Sequence, residues 1–326
     1  MKYEFYTLSR YLFLKIERNY STIVEKSGVT LPQLRVLWII NAFPGANSSM
    51  ISKIGCWTRP TVTKIIKILI SKNLVQKDLT PNKKSKSIHL TAEGSDIIEI
   101  NKQTNNSNFP LLKLLNHIDS IELNELLNIY SYTAIKSNNV FILDYIERIN
   151  TLSLKIQYET FPKSDQPKLK NLVALYNLLR VFVLSVENAH SLLLKDLNLT
   201  YPQLRALKII KAFKGITSVQ LSELALWSPS SANLVVKNLY GKGLLYKNKG
   251  PVKNSLHIYI TEKAENVIIR DAAENENKIS TLNMLNDVPE EKLKQLNVLL
   301  HSLNESVNNH MVVEFIDRCL HPVNKL

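Results

Sequence analysis

Apolar positions recur at helical spacing along most of this chain. Leu8, Tyr11, Leu12, Ile16, Tyr20 and Ile23 share one face of a helix predicted over 8–27. Leu175, Leu178, Leu179, Phe182, Val186 and Leu193 do the same over 172–196. Thr30 and Thr200 each precede a Pro-Gln-Leu-Arg run, an N-cap with proline in the first turn, and these helices end at Gly45 and Gly215. A short helix follows at about 48–55 or 218–225, where Thr217 and Gln220 have capping-box spacing. After a turn at Cys56-Trp57 or Leu226-Trp227, Thr58 or Ser228 caps another helix. Its apolar face is Val62, Ile65, Ile66 and Leu69, or Ala232, Val235, Val236 and Leu239. Asn73 and Gly243 suit a left-handed stop. Two short alternating runs around a basic, turn-rich tip then predict a hairpin, at 74–91 and again at 244–261. Helices over 92–116 and 119–149, and over 262–286 and 289–319, are expected to close each half.

The pattern occurs twice because the sequence does. Residues 31–91 align without a gap to 201–261, with 23 identities in 61 positions. Arg10/Arg180, Glu17/Glu187, Leu115/Leu285 and Arg148/Arg318 extend the match outward. A repeat of this length is a duplicated domain rather than a solenoid unit. The expected organisation is a first unit at 1–150 with its head at 31–91, a linker at 151–167 and a second unit at 168–326 with its head at 201–261.

Helix, short helix, turn, helix and hairpin make a winged helix-turn-helix, whose second short helix enters the major groove. The fold class is therefore mainly α with small β-hairpin wings. The order PQLRVLWII, then the Thr-x-Thr-Lys helix, then SKNLVQKD, then a basic tip closed by IHLTAEG, resembles the MarR family of bacterial transcription regulators. The resemblance covers nearly all of each half. It implies first and last helices that form a dimer interface, here within one chain, so that two winged domains and their flanking helices make an intramolecular pseudo-two-fold dimer. It also implies a small phenolic ligand between head and interface helices. The wings depart from the family pattern of an Asp with an Arg two residues later: Asn82 and Lys84 stand there in the first, Val252 and Asn254 in the second.

Charge points to the same partner. The chain carries a formal net charge of +13, which favours a polyanion without choosing between nucleic acid and an anionic membrane. Between Lys53 and Lys86 there are nine basic residues and one acid, Asp78; the matching window 223–256 has five basic residues and one acid, Glu223. The first head is expected to grip duplex DNA harder. Candidate contacts in it are Arg59, Thr61, Thr63, Lys64 and Lys67 on the helix and Lys83, Lys84 and Lys86 on the wing. In the second head they are Ser230, Ser231, Asn233, Lys237 and Lys253. Arg59 suits guanine, Asn233 suits adenine, and Thr61 and Thr63 suit a thymine methyl. Unlike heads predict an asymmetric or imperfectly palindromic site.

Other chemistry is thinly represented. Cys56 and Cys319 occupy unmatched repeat positions and form no disulfide framework, as expected in a reducing cytoplasm. The seven histidines show no metal-ligand spacing, and the eight glycines form no phosphate loop, so neither an enzyme nor a cofactor is expected. The segment MKYEFYTLSRYLFLKIER lacks a leader-like apolar run, and Leu172–Val186 is broken by Asn177 and Arg180, so no membrane span is expected. Trp57, Trp227 and Cys56 read as core. Tyr3, Tyr6, Tyr11 and Tyr20 read as interface core more readily than as a ligand pocket. The expectation is a DNA-binding repressor at the bacterial nucleoid, as a pseudo-dimeric monomer or as two associated chains. The rival is a protein-interaction module or antagonist of another regulator that has lost DNA binding in one or both heads.

Overall fold

The computed structural model describes residues 1–78, 87–108, 110–137, 139, 141–153, 162–249, 256–307, 314, 315 and 318. The helices are α1 (Lys2–Val24), α2 (Leu31–Ala42), α3 (Ser48–Gly55), α4 (Arg59–Ser71), α5 (Ala92–Asn108), α6 (Ser120–Lys136), α7 (Phe141–Ser153), α8 (Gln166–Leu193), α9 (Tyr201–Ala212), α10 (Ser218–Ala225), α11 (Pro229–Gly241), α12 (Glu262–Glu274), α13 (Ser280–Asn283) and α14 (Glu290–Ser306). Strands β1 (Val75–Lys77) and β2 (Ile88–Leu90) pair antiparallel with Gln76 opposite His89. Strands β3 (Leu245–Lys249) and β4 (Leu256–Ile260) pair antiparallel with Lys247 opposite Ile258. A single bridge from Ala46 to Ile88, and from Ile216 to Ile258, ties each hairpin to the segment before the short helix.

Local sequence chemistry explains these boundaries. The Gln33 and Gln203 side chains accept from the Thr30 and Thr200 backbone N–H groups at 3.2 and 3.1 Å, closing capping boxes on α2 and α9. Thr217 and Gln220 do the same for α10. Asn73 and Gly243 end α4 and α11 at φ 57° and 67°, in the left-handed region where Asn and Gly are favoured. The predicted continuous helix over 119–149 is instead two helices, α6 and α7. Ser137 and Asn139 follow Lys136: the Ser137 hydroxyl donates to Thr133 O, and the Asn139 N–H donates to Ala134 O at 3.0 Å, closing α6. The predicted helix over 262–286 likewise stops at Glu274. Asn275 follows, then a 3-10 turn and the four-residue α13.

The chain divides into two compact units, Ile16–Phe182, and Met1–Lys15 with Val183–Leu326. Their boundaries fall inside α1 and α8, so each unit takes part of both long helices. Over 166–197 the second of these is long and apolar enough to cross a membrane by length and mean hydropathy, but 72 % of its apolar window is buried in the protein. In the Ile16–Phe182 unit the core is organised around α2, on which Leu34, Val36, Leu37, Ile39 and Ile40 are all buried. In the other, α9 buries Leu204, Ala206, Leu207, Ile209 and Ile210 in the same role. Tyr6, Tyr11 and Tyr20 are buried, as core tyrosines should be, with hydroxyls bonded to Tyr201, Leu224 O and Asn101 respectively.

One buried cluster differs in chemistry between the units. In the first, Tyr20 donates to Asn101 Oδ1 at 3.0 Å, and Trp38 lies under the Lys102 ammonium. At the matching repeat positions stand His190, Asp271 and Lys208. His190 Nε2 is 2.7 Å from Asp271 Oδ1, and Lys208 Nζ is 3.2 Å from Oδ2. Burial works to raise the pKa of Asp271, but the His190 hydrogen bond and the Lys208 charge hold it below the ordinary aspartate value. A carboxylate with a depressed folded pKa stabilises above its unfolded pKa, and that stability is lost as pH falls through the lower folded value. Asp271→Asn is therefore expected to destabilise the protein by about 3 kcal/mol at neutral pH. The penalty should begin to shrink below about pH 4, where the unfolded carboxylate protonates, and go on shrinking as pH falls through the lower folded value. Urea melts of both proteins from pH 7 to pH 2 measure this, and parallel profiles would remove the ion cluster from the account.

Candidate nucleic-acid interface

The candidate interface is built on α3, the turn after it, and α4. Asn47 caps α3 by accepting from Met50 N at 2.9 Å. The turn is fixed from both sides: Trp57 N donates to Ser52 O at 3.0 Å, and the Ser52 hydroxyl donates to Trp57 O at 2.5 Å. Cys56 sits in this turn at φ 49° as the α3 C-cap, half-buried, with Asn139 Nδ2 3.7 Å from its sulfur. Burial pushes the Cys56 thiol pKa up, against the nearby Arg180 charge, so it is poorly suited to thiolate chemistry. Leu226 holds the matching turn of the second head at φ 54°.

Helix α4 buries Val62, Ile65, Ile66 and Leu69, which turns Arg59, Thr61, Thr63, Lys64 and Lys67 outward, all exposed. Arg59, Pro60, Thr63, Lys64 and Lys67 line one shallow depression. Helix α11 buries Ala232, Val236 and Leu239 and exposes Ser230, Ser231, Asn233 and Lys237. Several of the expected hydroxyls are already committed. Thr61 Oγ1 is 2.9 Å from the capping Thr58 hydroxyl. Ser230 and Ser231 lie 3.0 and 2.9 Å from the Ser228 hydroxyl. This leaves Arg59, Thr63, Lys64 and Lys67, and Asn233 and Lys237, as the side chains directed outward without a role in the cap. The wing candidates Lys83, Lys84, Lys86 and Lys253, the positions Asn82, Val252 and Asn254, and Cys319 lie outside the described residues. Among the described residues no cluster of three or more His, Cys, Asp or Glu side chains is placed to hold a metal.

Sequence periodicity did not single out the arginines that hold this assembly from behind. In the first unit Arg180 Nη2 donates to Gly55 O at 2.5 Å, at the end of α3, and its guanidinium lies 5.0 Å from the Trp57 ring centre. Arg35 pairs with Glu17 and bonds the Tyr176 hydroxyl at 2.5 Å, while Tyr176 also bonds Glu17. In the second unit the two positions exchange tasks. Arg205, the repeat counterpart of Arg35, donates to Ala225 O at 2.7 Å and lies 5.2 Å from the Trp227 ring. Arg10, the counterpart of Arg180, pairs with Glu187 at 2.5 Å. Burial lowers the pKa of Arg180, and the neighbouring Arg35 charge lowers it further, to about 10. For Arg35 burial also works downward, but Glu17 outweighs it and the pKa is raised. The Arg in both Pro-Gln-Leu-Arg runs was the visible signal, since a charged residue recurs inside an otherwise apolar helix.

Arg180→Gln removes a charge-assisted hydrogen bond and a cation over a ring. It is expected to cost about 2 kcal/mol and to loosen the α3–α4 turn. Amide hydrogen exchange reads the effect directly: protection at Cys56, Trp57 and the last turn of α3 should fall more than protection in α6. Unchanged protection at the turn would show that Arg180 does not hold it.

Residues 29–84 match the MarR family. No curated protein matches the chain. Among solved structures the chain is similar to one described as the crystal structure of the transcriptional regulator SlyA, at 25 % identity and a TM-score of 0.36, covering 40 % of this chain and 94 % of that one. The matched residues hold α2, α3, α4 and β1.

Proposed function

We propose that this chain is a sequence-specific duplex-DNA-binding transcription regulator, acting as a single-chain pseudo-dimer with two unlike reading heads, and a repressor that occludes a promoter. The observation that carries the reading is the exposed face of α4, where Arg59, Thr63, Lys64 and Lys67 project over a buried apolar stripe. The basic character extends well beyond the helix, with no acidic residue between Lys53 and Lys77. That face belongs to a MarR family domain. Lys64 and Lys67 set register on phosphates, and Arg59 reads a base edge; Asn233 and Lys237 divide the same work in the second head. Lys83, Lys84, Lys86 and Lys253 add wing contacts in this scheme, and Thr61, Ser230 and Ser231 contribute through the cap that starts each helix. The working place of such a protein is the cytoplasm, at the nucleoid, with no catalytic step and no cofactor.

Selection of bound duplexes from fragmented host DNA at near-physiological salt, followed by sequencing, tests the reading. An enriched motif of two unlike half-sites about one helical turn apart is the expected result. A single half-site would leave the second head as scaffold, and no enrichment would favour the protein-interaction alternative. On the selected duplex, Lys64→Ala is expected to weaken binding and to lower the slope of log affinity against log salt by about 1, the signature of one lost phosphate contact. An unchanged slope would take Lys64 off the backbone. Lys84→Ala should also weaken binding, and unchanged affinity would remove Lys84 from the first wing's contacts.

A further inference from the structure

The second head carries an apolar residue where the first carries a cation. Leu234 occupies the repeat position of Lys64, and it is 60 % exposed. Helical spacing puts it at the centre of the outward face of α11, with Ser230 and Ser231 one turn before it and Lys237 and Asn238 one turn after. Two exposed aromatic side chains of the same head, Tyr240 and Tyr246, have a cation or ring partner. The Lys247 ammonium lies 5.7 Å from the Tyr240 ring centre, and Tyr246 stacks on Tyr259 at 5.3 Å. Leu234 projects from the middle of the helix, and the chain from Ser228 to Lys249 contains no acidic residue. The face is thus polar and cationic around one aliphatic tip.

The major groove of duplex DNA matches such a face. It presents hydrogen-bond donors and acceptors at every base pair and one apolar group, the C5 methyl of thymine. A leucine set among polar groups gains nothing from guanine O6 or N7, and it leaves those acceptors without a donor. Against a thymine methyl it buries apolar surface on both partners. We propose that Leu234 is a specificity-determining residue that selects thymine in the half-site read by the second head. Lys64, at the matching place in the first head, has no such preference. This rests on the DNA-binding reading above, and it makes the two half-sites differ in kind rather than only in strength.

The test replaces thymine by uracil, which deletes the methyl and leaves the Watson–Crick pairing in place. The full chain is used with its selected duplex, uracil is placed at one thymine at a time in each half-site, and affinity is measured by fluorescence anisotropy at fixed salt. One thymine in one half-site should be sensitive, with about four-fold weaker binding of the uracil duplex. Leu234→Ala should weaken binding of the thymine duplex by a similar factor and abolish the thymine–uracil difference at that position alone. Leu234→Lys, carrying the first head's residue, should restore affinity through phosphate or guanine contact without restoring the difference. Because Leu234 is exposed, both variants are expected to fold, and their thermal melts serve as the check. DNA binding in which no uracil substitution has a Leu234-dependent effect overturns this inference and leaves the DNA-binding reading standing. Failure to bind any duplex overturns both.

Discussion

Each unit buries two arginines from its helices and supplies one glutamate to meet them. A guanidinium removed from water is tolerated only when its charge and its donors are answered locally. Glu17 answers Arg35 in one unit and Glu187 answers Arg10 in the other. The remaining arginine of each unit finds the same substitute for a carboxylate: the carbonyl that ends the short helix, and the face of the tryptophan in the turn. A helix C-terminus carries partial negative charge, and an indole face is the preferred aromatic partner for a cation. The turn that launches α4 or α11 is thereby fastened to a long helix or to the central helix by an interaction too costly to leave half made. The direction in which the exposed face of α4 or α11 points follows from that fastening.

The exchange of tasks between the two arginine positions shows that this constraint acts on the cluster and not on a particular residue. Arg180 and Arg10 hold matching repeat positions, yet one ends a short helix and the other meets a glutamate. Two cations, one carboxylate and one helix end are wired in two ways, each giving one arginine the carboxylate and the other the helix end. Neighbouring differences fit the local choice. Tyr176 bonds Glu17 and Arg35 together in the first unit, whereas in the second Arg205 lies over the Tyr11 ring.

Much of the architecture was legible because it depends on short-range chemistry. Thr30, Thr200 and Thr217 announced helix starts through side chains that reach their own backbone, and Asn73 and Gly243 announced stops by tolerating positive φ. Apolar spacing identified the buried stripe of α4 and therefore its outward face. Helix continuity was misjudged at Ser137–Asn139 and after Glu274, where apolar periodicity runs on through residues that prefer to bond their own backbone. The buried arginines were hidden for a different reason. Spacing marks which side of a helix a residue occupies, but it cannot say which partner makes a buried charge tolerable, and Glu17, Tyr176 and Gly55 are distant from one another in the sequence.

The candidate interface was legible in outline and less so in its chemistry. Thr61, Ser230 and Ser231 are exposed, and their hydroxyls also meet the N-cap hydroxyl, a local role that spacing does not display. A count of charges also understated the contrast between the heads. Arg59 and Lys64 of α4 become Pro229 and Leu234 in α11, so the difference between the two helices is a change from cationic to apolar as well as a loss of charge. The buried cluster of Tyr20, Asn101 and Trp38 against His190, Asp271 and Lys208 makes a parallel point inside the fold. There three positions differ together, so that the carboxylate of Asp271 has both a histidine and a lysine to meet it. Differences in a core must be matched by their neighbours to be tolerated, but an exposed position such as Leu234 is under no such obligation. What an exposed apolar side chain answers to lies outside the chain, and on a face otherwise made of hydroxyls, amides and lysines a thymine methyl in a polar groove suits it physically.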